Sequence, residues 1–121
     1  MRIVVAFLAT PEGEAAFAAA AAQGRAQGLE VSVVPLDRTA EPRAQALADA
    51  SGAASVTVTP ALGGQDLVES FLATARDLDA SLIVIGLRRR TTVGKLILGT
   101  NAQRIMLDAP VPVLTVKPDT A

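Results

Sequence analysis

Short apolar runs alternate with stretches of helical periodicity from one end of the chain to the other. Arg2 to Phe7 (RIVVAF), Leu29 to Leu36 (LEVSVVPL), Ala54 to Thr59 (ASVTVT), Ser81 to Gly86 (SLIVIG) and Val111 to Lys117 (VPVLTVK) have strand length and are rich in β-branched residues. A short β-branched run such as the first fits a strand buried on both faces of a parallel sheet. In the third, Val56 and Val58 alternate with threonines, the pattern of a partly exposed edge strand. Proline cannot donate to a ladder, so Pro35 marks the end or an edge of the second strand and Pro112 gives the fifth a free edge.

Four helices fill the intervals. Thr10 suits an N-cap, Pro11 the first helical position, and Glu12 and Glu14 the first turn, where the helix dipole favours acids. The alanine-rich stretch Ala15 to Ala22 has high helix propensity and suits close packing on a sheet; it runs towards Gly24 or Gly28. Pro42 opens a second helix with Ala44, Leu47 and Ala48 at helical spacing, and Ser51-Gly52 stops it. The third runs from about Gln65 to Leu78 with Leu67, Phe71, Ala75 and Leu78 as its apolar stripe. Asp77 and Asp79 at its end oppose the dipole, and the pattern gives no reason for them. The fourth runs from about Thr100 to Leu107, before Pro110.

The order β-α-β-α-β-α-β-α-β predicts a three-layer α/β/α fold with a five-stranded parallel sheet and right-handed crossovers, as one domain over residues 1–121. The expected strand order is 3-2-1-4-5. Ligands in such sheets bind beyond the strand C-termini, where the strand order reverses. With the first and fourth strands as central neighbours, that crevice falls between Leu8–Thr10 and Gly86–Arg90.

Composition narrows the chemistry. The chain has no cysteine and no histidine. Disulfides, thiol catalysis, the usual zinc sites, Ser-His-Asp triads and an imidazole acid or base are therefore excluded. Phe7, Phe17 and Phe71 are the only aromatic residues, too few for a stacking platform, and no nucleic-acid partner is expected. No apolar run approaches the ~20 residues of a membrane span, and the N-terminal stretch lacks a secretory pattern. A cytoplasmic protein without membrane contact is expected.

The net charge is −1, unevenly spread. Residues 1–79 hold five basic and ten acidic residues, whereas 80–107 hold five basic and no acidic ones. The basic segment contains Arg88, Arg89, Arg90 and Lys95 between the apolar run ending at Gly86 and the helix start at Gly99-Thr100-Asn101. A strand end, a cationic loop and an open helix N-terminus form a generic anion site. Three adjacent arginines also suit a solvated loop, and Thr100 suits a plain N-cap as well as a phosphate contact. No general base is apparent in this segment, so an enzyme is not expected.

The spacing Gly86-Leu87-Arg88-Arg89, nine residues, Gly99-Thr100 resembles the universal stress protein family, whose ATP-binding members carry G-x2-G-x9-G-[ST] here. RIVVAF, DLDASLIVIG, VGKLILGTNAQRIM and DAPVPVLTVK are also similar to that family, so the resemblance covers the whole chain. It implies a universal stress protein-like, adenine-nucleotide alpha-hydrolase-like fold. It also implies a stress-response module binding ATP or another adenine nucleotide, with Mg2+ as its companion cation. The implied site comprises Ala6, Leu8, Pro35, Ile85, Gly86, Arg88, Arg89, Lys95, Gly99, Thr100 and Asn101. The adenine would lie against the backbone of Val34 to Leu36 and the phosphates across the loop. Gly86 would let the chain turn and a ligand approach, and Gly99 would do the same at the helix entry.

Two positions depart from the family pattern. Arg89 stands at the second glycine, and Leu8 stands where ATP-binding members have an aspartate that contacts the ribose. These departures favour the alternative of a dimeric interaction protein that binds no nucleotide. Family resemblance places a homodimer interface on Val111 to Lys117, whose short apolar edge suits pairing. Two other folds share the element order. A receiver domain needs acids where Leu8 and Pro60 stand, and a flavodoxin needs aromatics that the chain lacks.

Overall fold

The structure, a computed structural model, describes residues 1–64, 66–89, 96–97 and 99–118. Its elements are β1 (Arg2–Phe7), α1 (Pro11–Gln27), β2 (Glu30–Pro35), α2 (Glu41–Ser51), β3 (Val56–Val58), α3 (Leu67–Asp77), β4 (Ala80–Gly86), β5 (Arg88–Arg89), β6 (Leu96–Ile97), α4 (Thr100–Asp108) and β7 (Val113–Val116). Five strands form a parallel sheet in the order β3-β2-β1-β4-β7. Counted over the sheet strands alone, this is the expected 3-2-1-4-5.

Alternation along β1 explains its unbroken apolar run. Ile3, Val5 and Phe7 pack with Ala16, Phe17, Ala20, Val31, Val33 and Val84 on the side of α1 and α2. Val4 and Ala6 pack with Phe71, Leu72, Ile83, Ile85 and Ile105 on the side of α3 and α4. Successive side chains of a strand point to opposite faces, so a strand covered on both must be apolar throughout.

Local chemistry sets the boundaries. The Thr10 hydroxyl accepts the Gly13 N–H at 3.0 Å, Pro11 opens α1, and Gly28 closes it in the left-handed region at φ 68°. The expected third helix starts later, at Leu67, because Asp66 is its N-cap and accepts the Glu69 N–H at 3.1 Å. Apolar spacing carries no information about that cap. Asp79 adopts φ 57°, a conformation aspartate tolerates, and its carbonyl accepts the Arg2 N–H at 3.2 Å. It turns the chain from α3 into β4, which accounts for an acid at a place the dipole disfavours.

Two strands are shorter than the apolar runs suggest. In the fifth, Pro112 contributes only its carbonyl, which accepts the Ile83 N–H at 3.0 Å, and paired structure begins at Val113. β3 is confined to Val56–Val58. The start of the basic loop is also not plain loop: β5 and β6 pair antiparallel, Arg88 opposite Ile97 and Arg89 opposite Leu96. Two-residue strands are too short to leave a period in the sequence.

Candidate functional site

The strand order reverses between β1 and β4, and a cleft of about 310 Å3 opens beyond their C-terminal ends. Ala6, Leu8 and Thr10 line it from β1 and the turn after it, and Ile85, Gly86 and Arg88 from β4 and β5. Gly99, Thr100, Asn101, Ala102 and Ile105 line it from α4, and Leu36 from the end of β2. Ala6, Leu36, Ile85 and Ile105 are buried, so one wall is apolar.

The opposite side is electropositive. No side chain caps the start of α4, where Gly99 is the N-cap and its carbonyl accepts the Gln103 N–H at 2.9 Å. Orphan amides of a first helical turn and the positive end of the dipole favour an anion. The Arg88 guanidinium reaches over this turn, its Nη2 lying 3.9 Å from where a Cβ on Gly99 would stand. Arg88 is exposed, and its guanidinium makes no ion pair or hydrogen bond with the other described residues. The N-terminus of α1 also borders the cleft, but there Thr10 caps the Gly13 N–H and Pro11 has no N–H to offer.

Eight of the residues expected from sequence meet in this cleft: Ala6, Leu8, Ile85, Gly86, Arg88, Gly99, Thr100 and Asn101. Pro35 does not. It is fully buried in the sheet, opposite Phe7, and Leu36 reaches the cleft in its place. Arg89 contributes backbone to β5, and Arg90 and Lys95 lie outside the described residues.

Neither glycine of the loop spacing has a positive φ. A Cβ on Gly86 would overlap the carbonyl of Glu12, so this glycine lets the first turn of α1 seat against the end of β4. A Cβ on Gly13 would likewise overlap the carbonyl of Leu8. Gly86 therefore shapes the cleft by helix packing, in place of the tight turn expected of it.

Thr10 and Leu36 stand at the ends of the stretches expected to border the crevice and do line it, whereas sequence reasoning left out Glu12, Gly13, Ala102 and Ile105. Thr10 and Glu12 read as cap and first-turn acid, and Ala102 and Ile105 as helical spacing, which they also are. Their second position at the cleft depends on how α1 and α4 meet the sheet. Among the described residues no group of three or more acidic side chains could hold a metal ion. No helix among them is long and apolar enough to cross a membrane.

A sequence model described as the universal stress protein family matches residues 35–117. A universal stress protein of Mycolicibacterium smegmatis is 53% identical over 55 residues, which are 46% of this chain and 42% of that protein. The chain thus matches less than half of that relative's length. The structure of a universal stress protein from Archaeoglobus fulgidus superposes with a TM-score of 0.81 at 29% identity, covering 97% of this chain and 98% of that one. A structure of the universal stress protein from Archaeoglobus fulgidus in complex with dAMP gives a TM-score of 0.76 at 23% identity, over 97% and 98% of the two chains. A universal stress protein in complex with cAMP gives 0.69 at 20% identity, over 98% of each chain.

Proposed function

The chain belongs to the universal stress protein family, and from that premise we propose that it is a stress-response module that binds ATP or another adenine nucleotide in the β1–β4 cleft. The observation that carries the reading is the pairing, in one cleft, of an apolar wall with an uncapped helix N-terminus under a guanidinium that is unpaired among the described residues. The wall suits a base. Arg88 and the first amides of α4 suit a phosphate, because charge-assisted hydrogen bonds to phosphate are about twice as strong as neutral ones. The complexes of two similarly folded universal stress proteins with dAMP and cAMP support an adenine ligand.

The proposed contacts are Ala6, Leu8 and Ile85 on the base and sugar side, and Gly86, Arg88, Gly99, Thr100 and Asn101 on the phosphate side. A Mg2+ ion would arrive on the phosphates. The chain has no histidine, and the segment 80–107 that carries the phosphate seat has no carboxylate. We propose a binding module and not an enzyme, and, on the family resemblance, one domain acting in the cytoplasm. Calorimetric titration with ATP and Mg2+, on the parent and on Gly99→Asp, tests this reading. The parent binds, and the variant, which places a carboxylate at the phosphate seat, does not. No heat with the parent at millimolar ATP overturns the proposal.

A second reading is an interaction protein that works as a homodimer through β7. It is favoured by the exposed edge of that strand together with Leu107, 84% exposed on the neighbouring α4. The Pro112 and Val116 carbonyls face β4, accepting from Ile83 and Leu87, so Val113 and Thr115 turn their backbone groups to the open edge. Such an edge is a template for a second chain.

A further inference from the structure

The remaining polar group in the cleft is Glu12. It is the only carboxylate among the described residues that line the cleft, and it makes no hydrogen bond or ion pair with them. The other acid of the same helical turn, Glu14, is bound bidentately by Arg43 at 2.8 and 2.9 Å and does not line the cleft. The hydroxyl oxygen of Thr10 is engaged with Gly13. The helix dipole accounts for acids at both 12 and 14, but not for one of them standing partly buried and unpartnered in a ligand-sized cleft. An unpaired carboxylate on a cleft wall accepts hydrogen bonds from any donor that enters, and a ligand can bring them.

The stem of Glu12 is fixed. Its Cβ and carbonyl lie against Gly86, two residues before Arg88. Glu12 is therefore rooted at the end of β4 and lines the cleft next to the side that suits a phosphate. It repels the phosphate itself, so it needs the donors of whatever part of the ligand comes next. In an adenine nucleotide that part is the sugar, and its hydroxyls are donors. The base belongs with the apolar wall of Ala6, Leu36 and Ile85.

We infer that Glu12 accepts the ribose hydroxyls of the bound nucleotide and makes the cleft selective for sugars that carry them. The inference rests on the adenine-nucleotide reading above. The resulting O–H···O⁻ bonds are of the short, charge-assisted kind. Leu8, on the same wall, offers no acceptor.

The test is calorimetric titration of AMP and 2′,3′-dideoxy-AMP, without divalent ions, into the parent, Glu12→Ala and Glu12→Gln. Hydrogen bonds to a charged group give the parent a preference for AMP of about tenfold or more. Glu12→Ala loses the preference by weakening AMP relative to dideoxy-AMP, whose own binding stays the same or tightens as the repulsion of its phosphate is relieved. Glu12→Gln retains part of the preference, because its amide oxygen still accepts. Equal affinity of the parent for both nucleotides overturns the inference while leaving nucleotide binding in place. So does a Glu12→Ala variant that binds both ligands more tightly by the same factor, which would mark Glu12 as general repulsion. The titrations are repeated with Mg2+, and a preference that appears only then overturns it as well, in favour of a metal bridge. No AMP binding by the parent removes the nucleotide reading and this inference with it.

Discussion

Replacing Gly86 by alanine adds one methyl group where the first turn of α1 meets the end of β4. The added Cβ would overlap the carbonyl oxygen of Glu12 and crowd its carbonyl carbon at 2.6 Å and its Cβ at 2.9 Å. These are backbone and stem atoms, so relief requires α1 to move off the sheet. That places the cost at the upper end for overpacking, about 3 kcal/mol. Gly86 does not have a positive φ, so alanine can adopt its backbone, and the smaller entropy of the unfolded chain offsets roughly 0.5 kcal/mol. The net loss of about 2.5 kcal/mol corresponds to a fall in Tm of roughly 10 °C for a chain of this size. Urea denaturation of Gly86→Ala beside Gly63→Ala measures it. Gly63 has nothing within 4 Å of a built Cβ, and its variant stays within about 0.5 kcal/mol of the parent. A Gly86→Ala protein as stable as Gly63→Ala would show that α1 is not seated on β4, and the cleft as described would not exist.

Three further outcomes follow from other parts of the molecule. Arg88→Ala leaves the denaturation midpoint unchanged, since Arg88 is exposed and its guanidinium is unpaired among the described residues, but weakens AMP by about tenfold or more and flattens its salt dependence; an unchanged affinity contradicts the phosphate seat. Thr115→Pro removes an outward-facing N–H from the edge of β7 and yields monomers in sedimentation at concentrations where the parent is dimeric; a variant as dimeric as the parent rules out that edge. Asp66 is held below its ordinary carboxylate value first by the Arg104 guanidinium and next by the Glu69 N–H. A lowered folded-state pKa contributes stability that is full above the unfolded value and is lost as pH falls through the folded one. Asp66→Asn keeps an N-cap but breaks the pair with Arg104 at 3.1 Å. It is therefore less stable than the parent at neutral pH, with a gap in urea midpoint that closes in acid below the Asp66 value; a gap of constant size contradicts the pairing.

The sheet was legible because its constraints are local. A strand covered on both faces has to be apolar at every position, as β1 is from Ile3 to Phe7. An edge strand shows itself by the threonines beside Val56 and Val58 or by a proline such as Pro112. The cleft was legible as far as topology dictates it, at Ala6 and Leu8 after β1 and at Ile85, Gly86 and Arg88 after β4. What escaped depends on contacts between elements. Within the expected stretch Val34 to Leu36 it is Leu36 and not Pro35 that lines the cleft, because the β1–β2 ladder extends through Phe7 and Pro35 and closes with the Leu36 N–H on the Phe7 carbonyl at 2.9 Å. Ala102 and Ile105 depend on the angle at which α4 meets the sheet. Glu12 depends on the missing side chain of Gly86, far away in sequence, against which its backbone and Cβ pack. The helix dipole alone accounts for an acid at its position, which hides the second role.

The central claim is that an adenine nucleotide seats its phosphate on the first turn of α4. Titration of 15N-labelled protein with AMP, read at the backbone amides, tests it most directly. The account predicts that Thr100, Asn101 and Gly86 move most and saturate with one common affinity. Amides that stay still at millimolar AMP, or shifts confined to the edge of β7, would contradict it.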